Sequence, residues 1–149
     1  MIHTALAVAA VALAAVGITG AIAQQDAIKA RQDLMKRSGQ QMGVVNRMAR
    51  GQEPFDPAKV NAAFDAWADK AQKLPAAFPD NSRTGETRAL AKIWQDRAGF
   101  SAEIAKFGKD VTENRTKATA DLDGLKAAVP VVLNDCNSCH EKYRRPETR

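Results

Sequence analysis

Two cysteines three positions apart, with a histidine directly after the second, are the residues of this chain best equipped for chemistry: Cys136-Asn137-Ser138-Cys139-His140. Successive residues of an α-helix turn by about 100°, so Cys139 lies about 60° to one side of Cys136 and His140 about 40° to the other. All three side chains then share one face. Two thiols on that face can reach the two vinyl groups of one porphyrin edge while the imidazole reaches the iron, which is the logic of the C-x-x-C-H attachment signal. The expected cofactor is one covalent haem c, attached through Cys136 and Cys139, with His140 as an axial ligand of the iron.

Other uses of the same residues are weaker. A thioredoxin-like redox pair belongs in a βαβ setting, and no stretch of this chain alternates at period two for long enough to argue strands. A zinc site needs two more ligands, and beyond residue 23 there is no further Cys or His. A disulfide across C-x-x-C on a regular helix is strained. A haem-free helical interaction module is the remaining alternative.

The elements that must position this motif follow from the rest of the sequence. At 149 residues the chain has room for one modest domain. Aromatic residues make up only 5% of it, and alanine and charged residues are abundant, a mixture that suits a helical bundle. The first 23 residues contain no Lys, Arg, Asp or Glu, Ala5 to Ala15 are nearly all apolar, and Ala21-Ile22-Ala23 has the small-x-small pattern of a signal peptidase site. Residues 1–23 therefore read as a secretory signal peptide and 24–149 as the exported domain, with the periplasm as its expected location. The n-region holds only His3 and the terminal amine, and the alternative is an uncleaved anchor over Thr4–Ala23, whose alanine and glycine content makes it a weak span. Membrane anchoring is thus not expected.

Proline and glycine divide the remainder into four amphipathic segments. The first runs from about Asp26 to Arg50 with an inner stripe through Ile28, Arg31, Met35, Ser38, Met42 and Val45. The second opens at Asp56-Pro57 and carries Val60, Phe64, Trp67, Ala71 and Leu74 inward. After a loop from roughly Pro75 to Glu86, the third runs from about Thr87 to Glu113 with Leu90, Ile93, Arg97, Phe100, Ile104, Phe107 and Val111 inward. The fourth runs from about Asp121 to Arg144 with a kink expected at Pro130. The fold class is all-α, an antiparallel up-down-up-down four-helix bundle.

That topology constrains the second iron ligand. His140 is the only histidine beyond residue 23, so methionine is the next candidate. Met35, Met42 and Met48 all lie on the first helix, beside the fourth. At 1.5 Å rise per residue, Met35 falls about 8 Å off the level of His140, Met42 about 18 Å and Met48 about 27 Å. Met35 is the expected distal residue. Gly39 follows one turn later; glycine there costs ~1 kcal/mol relative to alanine, and a flat macrocycle packed on that turn would account for it. Arg31, one turn earlier on the inward stripe, needs a buried partner, and haem propionates would serve. Arg144 could lie against the imidazole or shield the haem edge; its simpler reading is a cation at a helix C-terminus.

With 22 Lys and Arg against 17 Asp and Glu, the formal charge is +5, evenly mixed along the chain. Without a basic run, nucleic-acid binding is not expected, and a bias toward acidic partners is.

On these residues the sequence resembles the class II c-type cytochromes, cytochrome c′ and its low-spin relatives. The resemblance spans essentially all of the chain after residue 23. It is carried by Arg31-Gln32-x-Leu34-Met35-Lys36, Gly51-Gln52-x-Pro54-Phe55-Asp56, Lys92-Ile93-Trp94 and Cys136-x-x-Cys139-His140-x-x-Tyr143-Arg144, the last being the most specific. It implies a haem near the C-terminus of the bundle, and homodimers are common in the family. It also implies one of two functions, neither of them enzymatic. In the low-spin branch a methionine of helix one closes the sixth position and the protein carries electrons between redox partners. In cytochrome c′ proper the iron is five-coordinate and binds nitric oxide or carbon monoxide. The Leu34-Met35-Lys36 and Leu74-Pro75 to Phe78-Pro79-Asp80 stretches resemble the low-spin branch, whereas Arg31 resembles cytochrome c′. The expected function is a periplasmic electron carrier ligated by His140 and Met35, with the gas-binding protein as alternative.

Overall fold

Three aspartates start three of the four long helices of the chain, shown here by a computed structural model that describes residues 3–146, with side chains from Gly20 onward. The elements are α1 (His3–Ala49), α2 (Pro57–Lys73), the single turn α3 (Lys92–Gln95), α4 (Arg97–Ala120) and α5 (Leu122–Tyr143). Asp56 Oδ1 accepts from the backbone N–H of Ala58 and Lys59, Asp96 Oδ1 from Gly99, and Asp121 Oδ1 from Gly124. Each satisfies donors that the first helical turn leaves unpaired. At the other end of α1, Gly51 takes a φ of 70° so that its own N–H reaches Met48 O and that of Gln52 reaches Arg47 O. That paired closure is a Schellman motif, and it needs the left-handed conformation glycine supplies. Most of the side chains of the expected signal peptide lie outside the described residues.

α1 packs on α2 and α5, and α4 packs on the same two, giving the ring order α1, α2, α4, α5 of an up-down-up-down bundle. One end of the core is filled by Val45, Met48, Val60, Phe64, Trp67, Val111, Leu125 and Val132, all at most 1% exposed. The Trp67 indole N–H donates to Ser38 O at 3.2 Å, so α2 grips the middle of α1 by a polar bond as well as by area. The opposite end is more aromatic, with Phe78, Trp94, Phe100 and Tyr143 beside Leu34, Leu74, Ile93 and Ile104.

The third segment departs from expectation. Residues 87–90 are not helical; they lie extended along the chain end, where Leu90 N–H donates to Tyr143 O and Arg145 N–H to Arg88 O. Only α3 precedes a break at Asp96, and α4 then runs on to Ala120, beyond the expected end at Glu113. Pairing with the chain end satisfies backbone groups that a helix from Thr87 would have used, and the Asp96 cap restarts the helix. Arg97, expected inward, instead reaches out to Phe78 O at 2.9 Å and Asp80 Oδ1 at 3.1 Å. Pro130 lies inside α5, whose helix continues on both sides of it. Among the described residues, no helix is long and apolar enough to cross a membrane.

Candidate functional site

The last turns of α5 carry Cys136, Cys139 and His140, both cysteines as free thiols. Cys139 and His140 line a cavity of about 230 Å³ whose walls also include Arg31 and Met35 of α1, Phe78, residues 87–89, Phe100 of α4, and Tyr143 and Arg144. A smaller cavity of about 20 Å³ shares Met35, Cys139 and His140 and adds Lys70, Glu103, Asp135 and Cys136. The helix thus brings all three motif residues and Met35 together. Met48 is fully buried in the core at the other end and Met42 packs against that same core, so neither lines these cavities.

Two tethers fix the motif. Glu103 of α4 accepts from Ser138 Oγ at 3.0 Å and from Lys142 Nζ at 2.5 Å, which holds the C-x-x-C turn against α4. Tyr143 donates to Asp96 Oδ2 at 2.9 Å and stacks edge-on against Phe100, whose ring in turn meets Phe78 at 4.9 Å between centroids. This aromatic wall makes the larger cavity mostly apolar.

Burial sets the protonation of the motif. It pushes the Cys139 thiol up to about 11, with the Glu103 carboxylate adding to the effect, and it raises Cys136 as well. It pushes His140 down to about 4, helped by the cations of Arg144, Lys70 and Arg88. Near neutral pH the imidazole therefore has a free lone pair, the form that ligates a metal.

Arg31 is only 4% exposed and faces the larger cavity. Its terminal nitrogens donate to Ala77 O, Ser82 Oγ, Ser82 O and Thr87 Oγ1, at 3.3, 2.8, 2.9 and 2.8 Å. The guanidinium also stands 4.9 Å over the Phe78 ring. The connection between α2 and α3 therefore supplies the buried guanidinium with partners within the chain. Gly39 is exposed, lines neither cavity, and a Cβ there would meet nothing within 4 Å. The reason lies one residue earlier, where Ser38 is turned inward under Trp67 and sends the next position outward. Arg144 is exposed at the cavity mouth, and its N–H closes α5 on His140 O at 3.0 Å.

Several residues at the site escaped the sequence pattern. Asp96 had a readable signal, an aspartate three residues before Gly99 in cap position. Lys70 falls three residues after Trp67, on the buried stripe of α2, where a lysine is easily read as surface. The tether at Glu103 and the extended run at 87–90 come from tertiary contacts and left no local pattern.

The donor set fits a haem c: two thiols on one helix face, a neutral imidazole beside them, a thioether on the facing helix, and an apolar wall. Among the described residues, no group of three or more His, Cys, Asp or Glu side chains is placed to hold a bare metal ion. A four-helix bundle with this thiol and imidazole set on its last helix defines a c-type cytochrome of the bundle class. The family model for Cytochrome C′ matches residues 26–144, and the chain belongs to that family. It is similar to a cytochrome c-556 of Rhodopseudomonas palustris, 36% identical over 99% of each chain. It is also similar to a cytochrome c′ of the same organism, 38% identical over 89% of this chain and 90% of the relative. The solved structure of cytochrome c′ from Rhodopseudomonas palustris superposes with a TM-score of 0.78 at 37% identity, covering 83% of this chain and 98% of that one. The protein is thus a haem-binding electron carrier or ligand binder with one covalent haem c, and Cys136 and Cys139 fit the attachment motif.

Proposed function

We propose that this protein is an exported, periplasmic electron carrier whose haem, attached through Cys136 and Cys139, has His140 and Met35 as its two axial ligands. The observation that carries the reading is the shared cavity: of Met35, Met42 and Met48, Met35 alone lines it together with His140. When bound, the haem supplies a one-electron couple. The residues of the chain do the rest: the thiols fix its edge, the neutral imidazole offers a ligand, and Phe78, Phe100 and Tyr143 keep water from its face. The similarity to cytochrome c-556 over nearly the whole chain supports this reading. Export rests on the composition of residues 1–23, and the positive net charge favours acidic redox partners.

A second reading, a five-coordinate protein that binds nitric oxide or carbon monoxide, draws support from the similarity to cytochrome c′. Met35 would then stand over the iron without bonding it. Absorption spectra of the purified protein, ferric and ferrous, with and without carbon monoxide, separate the two. Low-spin bands in both oxidation states and no response to carbon monoxide are expected; high-spin bands in both would replace the first reading with the second.

A further inference from the structure

Lys70 of α2 is 6% exposed, and among the described residues its ammonium makes no ion pair. It stands 4.0 Å over the ring of Phe107 instead. The smaller cavity that Lys70 lines is also lined by Asp135, 3% exposed and next in sequence to Cys136. Asp135 Oδ1 accepts from Lys106, while Oδ2 is buried with no hydrogen-bond partner. Stranding a cation and a carboxylate oxygen away from water is costly. Both line a cavity that Met35, Cys136, Cys139 and His140 also line.

We propose that Lys70 and Asp135 are opposed positioning charges that set the reduction potential of the haem, the ammonium raising it and the carboxylate lowering it. The inference rests on the reading of Cys136, Cys139 and His140 as the residues that hold the haem. Its physics is simple. Reduction adds one electron at the iron, so a nearby positive charge favours the reduced state and a negative charge the oxidised one. Charges kept out of water are poorly screened, and the potentials of haem proteins respond to such charge and burial. A unit charge about 12 Å away at an effective dielectric of about 20 shifts a one-electron equilibrium about tenfold, which is about 59 mV. Asp135 shares Lys106 with Asp110, and burial together with the nearby Asp110 holds its carboxyl above the ordinary carboxylate range, so its effect is the smaller of the two.

The test is potentiometric titration of the haem-loaded protein and of three variants, Lys70→Met, Asp135→Asn and, as control, Lys109→Met. Lys109 is an exposed cation paired with Glu113, with 66% of its side chain in solvent. The expected results are a fall of about tenfold in the reduction equilibrium for Lys70→Met, a smaller rise for Asp135→Asn, and no change for the control. Unmoved potentials, shifts of one sign in both variants, or a control that moves as far as Lys70→Met would overturn the inference. If Lys70→Met fails to fold, Asp135→Asn decides alone: a rise supports the inference and anything else overturns it. Covalent haem is quantified in every sample as its pyridine complex. An unmutated protein without covalent haem sinks the functional reading itself, whereas full haem content with unmoved potentials sinks only this inference.

Discussion

One carboxylate joins the start of α4 to the end of α5: Asp96 Oδ2 accepts the Tyr143 phenol at 2.9 Å while Asp96 Oδ1 accepts the Gly99 N–H at 3.0 Å. Burial first, and then the bond to Asp96, push the phenol up to about 12 from the ordinary 10.0. The folded protein thus holds this proton more tightly than the unfolded chain. The resulting stability is fully present below pH 10.0 and is lost as the pH rises toward about 12. Tyr143 is the only tyrosine in the sequence, so tyrosinate absorbance reads this group alone. An ionisation midpoint near 12 is expected, lower in Asp96→Asn but still above 10 because burial remains; a midpoint near 10 in the unmutated protein would refute the account.

The same corner makes Gly99 and Gly39 opposite cases. A Cβ at Gly99 would collide with Asp96 Oδ2 and come within 2.7 Å of the Tyr143 hydroxyl. Gly99→Ala is expected to cost about 1–3 kcal/mol, the usual range for overpacking. Gly39 is helical, exposed and free of neighbours. Gly39→Ala is expected to stabilise by about 0.5–1 kcal/mol with an unchanged haem spectrum. Thermal and denaturant unfolding of the haem-loaded variants check both signs.

What the sequence made legible was what repeats or caps locally. The stripes of α1, α2 and α5 read at helical spacing, and Gly51 and Asp56-Pro57 marked the first turn. The motif at Cys136, Cys139 and His140 was legible because its spacing alone puts three side chains on one face. Met35 followed from topology once the other histidine was set aside. The third segment was misread because residues 87–90 have helical spacing in Leu90 and Ile93, yet their backbone pairs with the far end of the chain. Arg31 was read as inward from its place on the stripe, but its partners Ser82 and Thr87 lie more than fifty positions away.

Met35 and His140 approach the cavity from two different helices, which makes the spectrum of Met35→Leu informative. Leucine nearly conserves the volume, so the substitution should cost less than about 1.5 kcal/mol. It carries no lone pair for iron. The expected outcome is a change from low-spin to high-spin bands in the ferrous protein, with carbon monoxide binding gained. Met42→Leu, on the core side of α1, should leave the spectrum as it was. An unaltered low-spin spectrum in Met35→Leu would remove Met35 as a ligand.

Arg31 separates a structural from a cofactor-directed role. Its two terminal nitrogens make four bonds, three of them to Ala77 and Ser82 and one to Thr87, and so hold the connection after α2 onto α1. A lysine keeps the charge but offers one ammonium in place of the planar fork, so it cannot reach all four acceptors. Leaving buried acceptors unmet costs about 1–3 kcal/mol. Arg31→Lys is therefore expected to lower stability by about 2–3 kcal/mol, with covalent haem content retained. If the guanidinium served the propionates instead, the preserved charge would largely do its work. Stability would then stay near that of the unmutated protein while the haem spectrum and potential changed. Unfolding curves and spectra of the same haem-loaded sample distinguish the two, and the bonds that Arg31 makes within the chain favour the loss of stability.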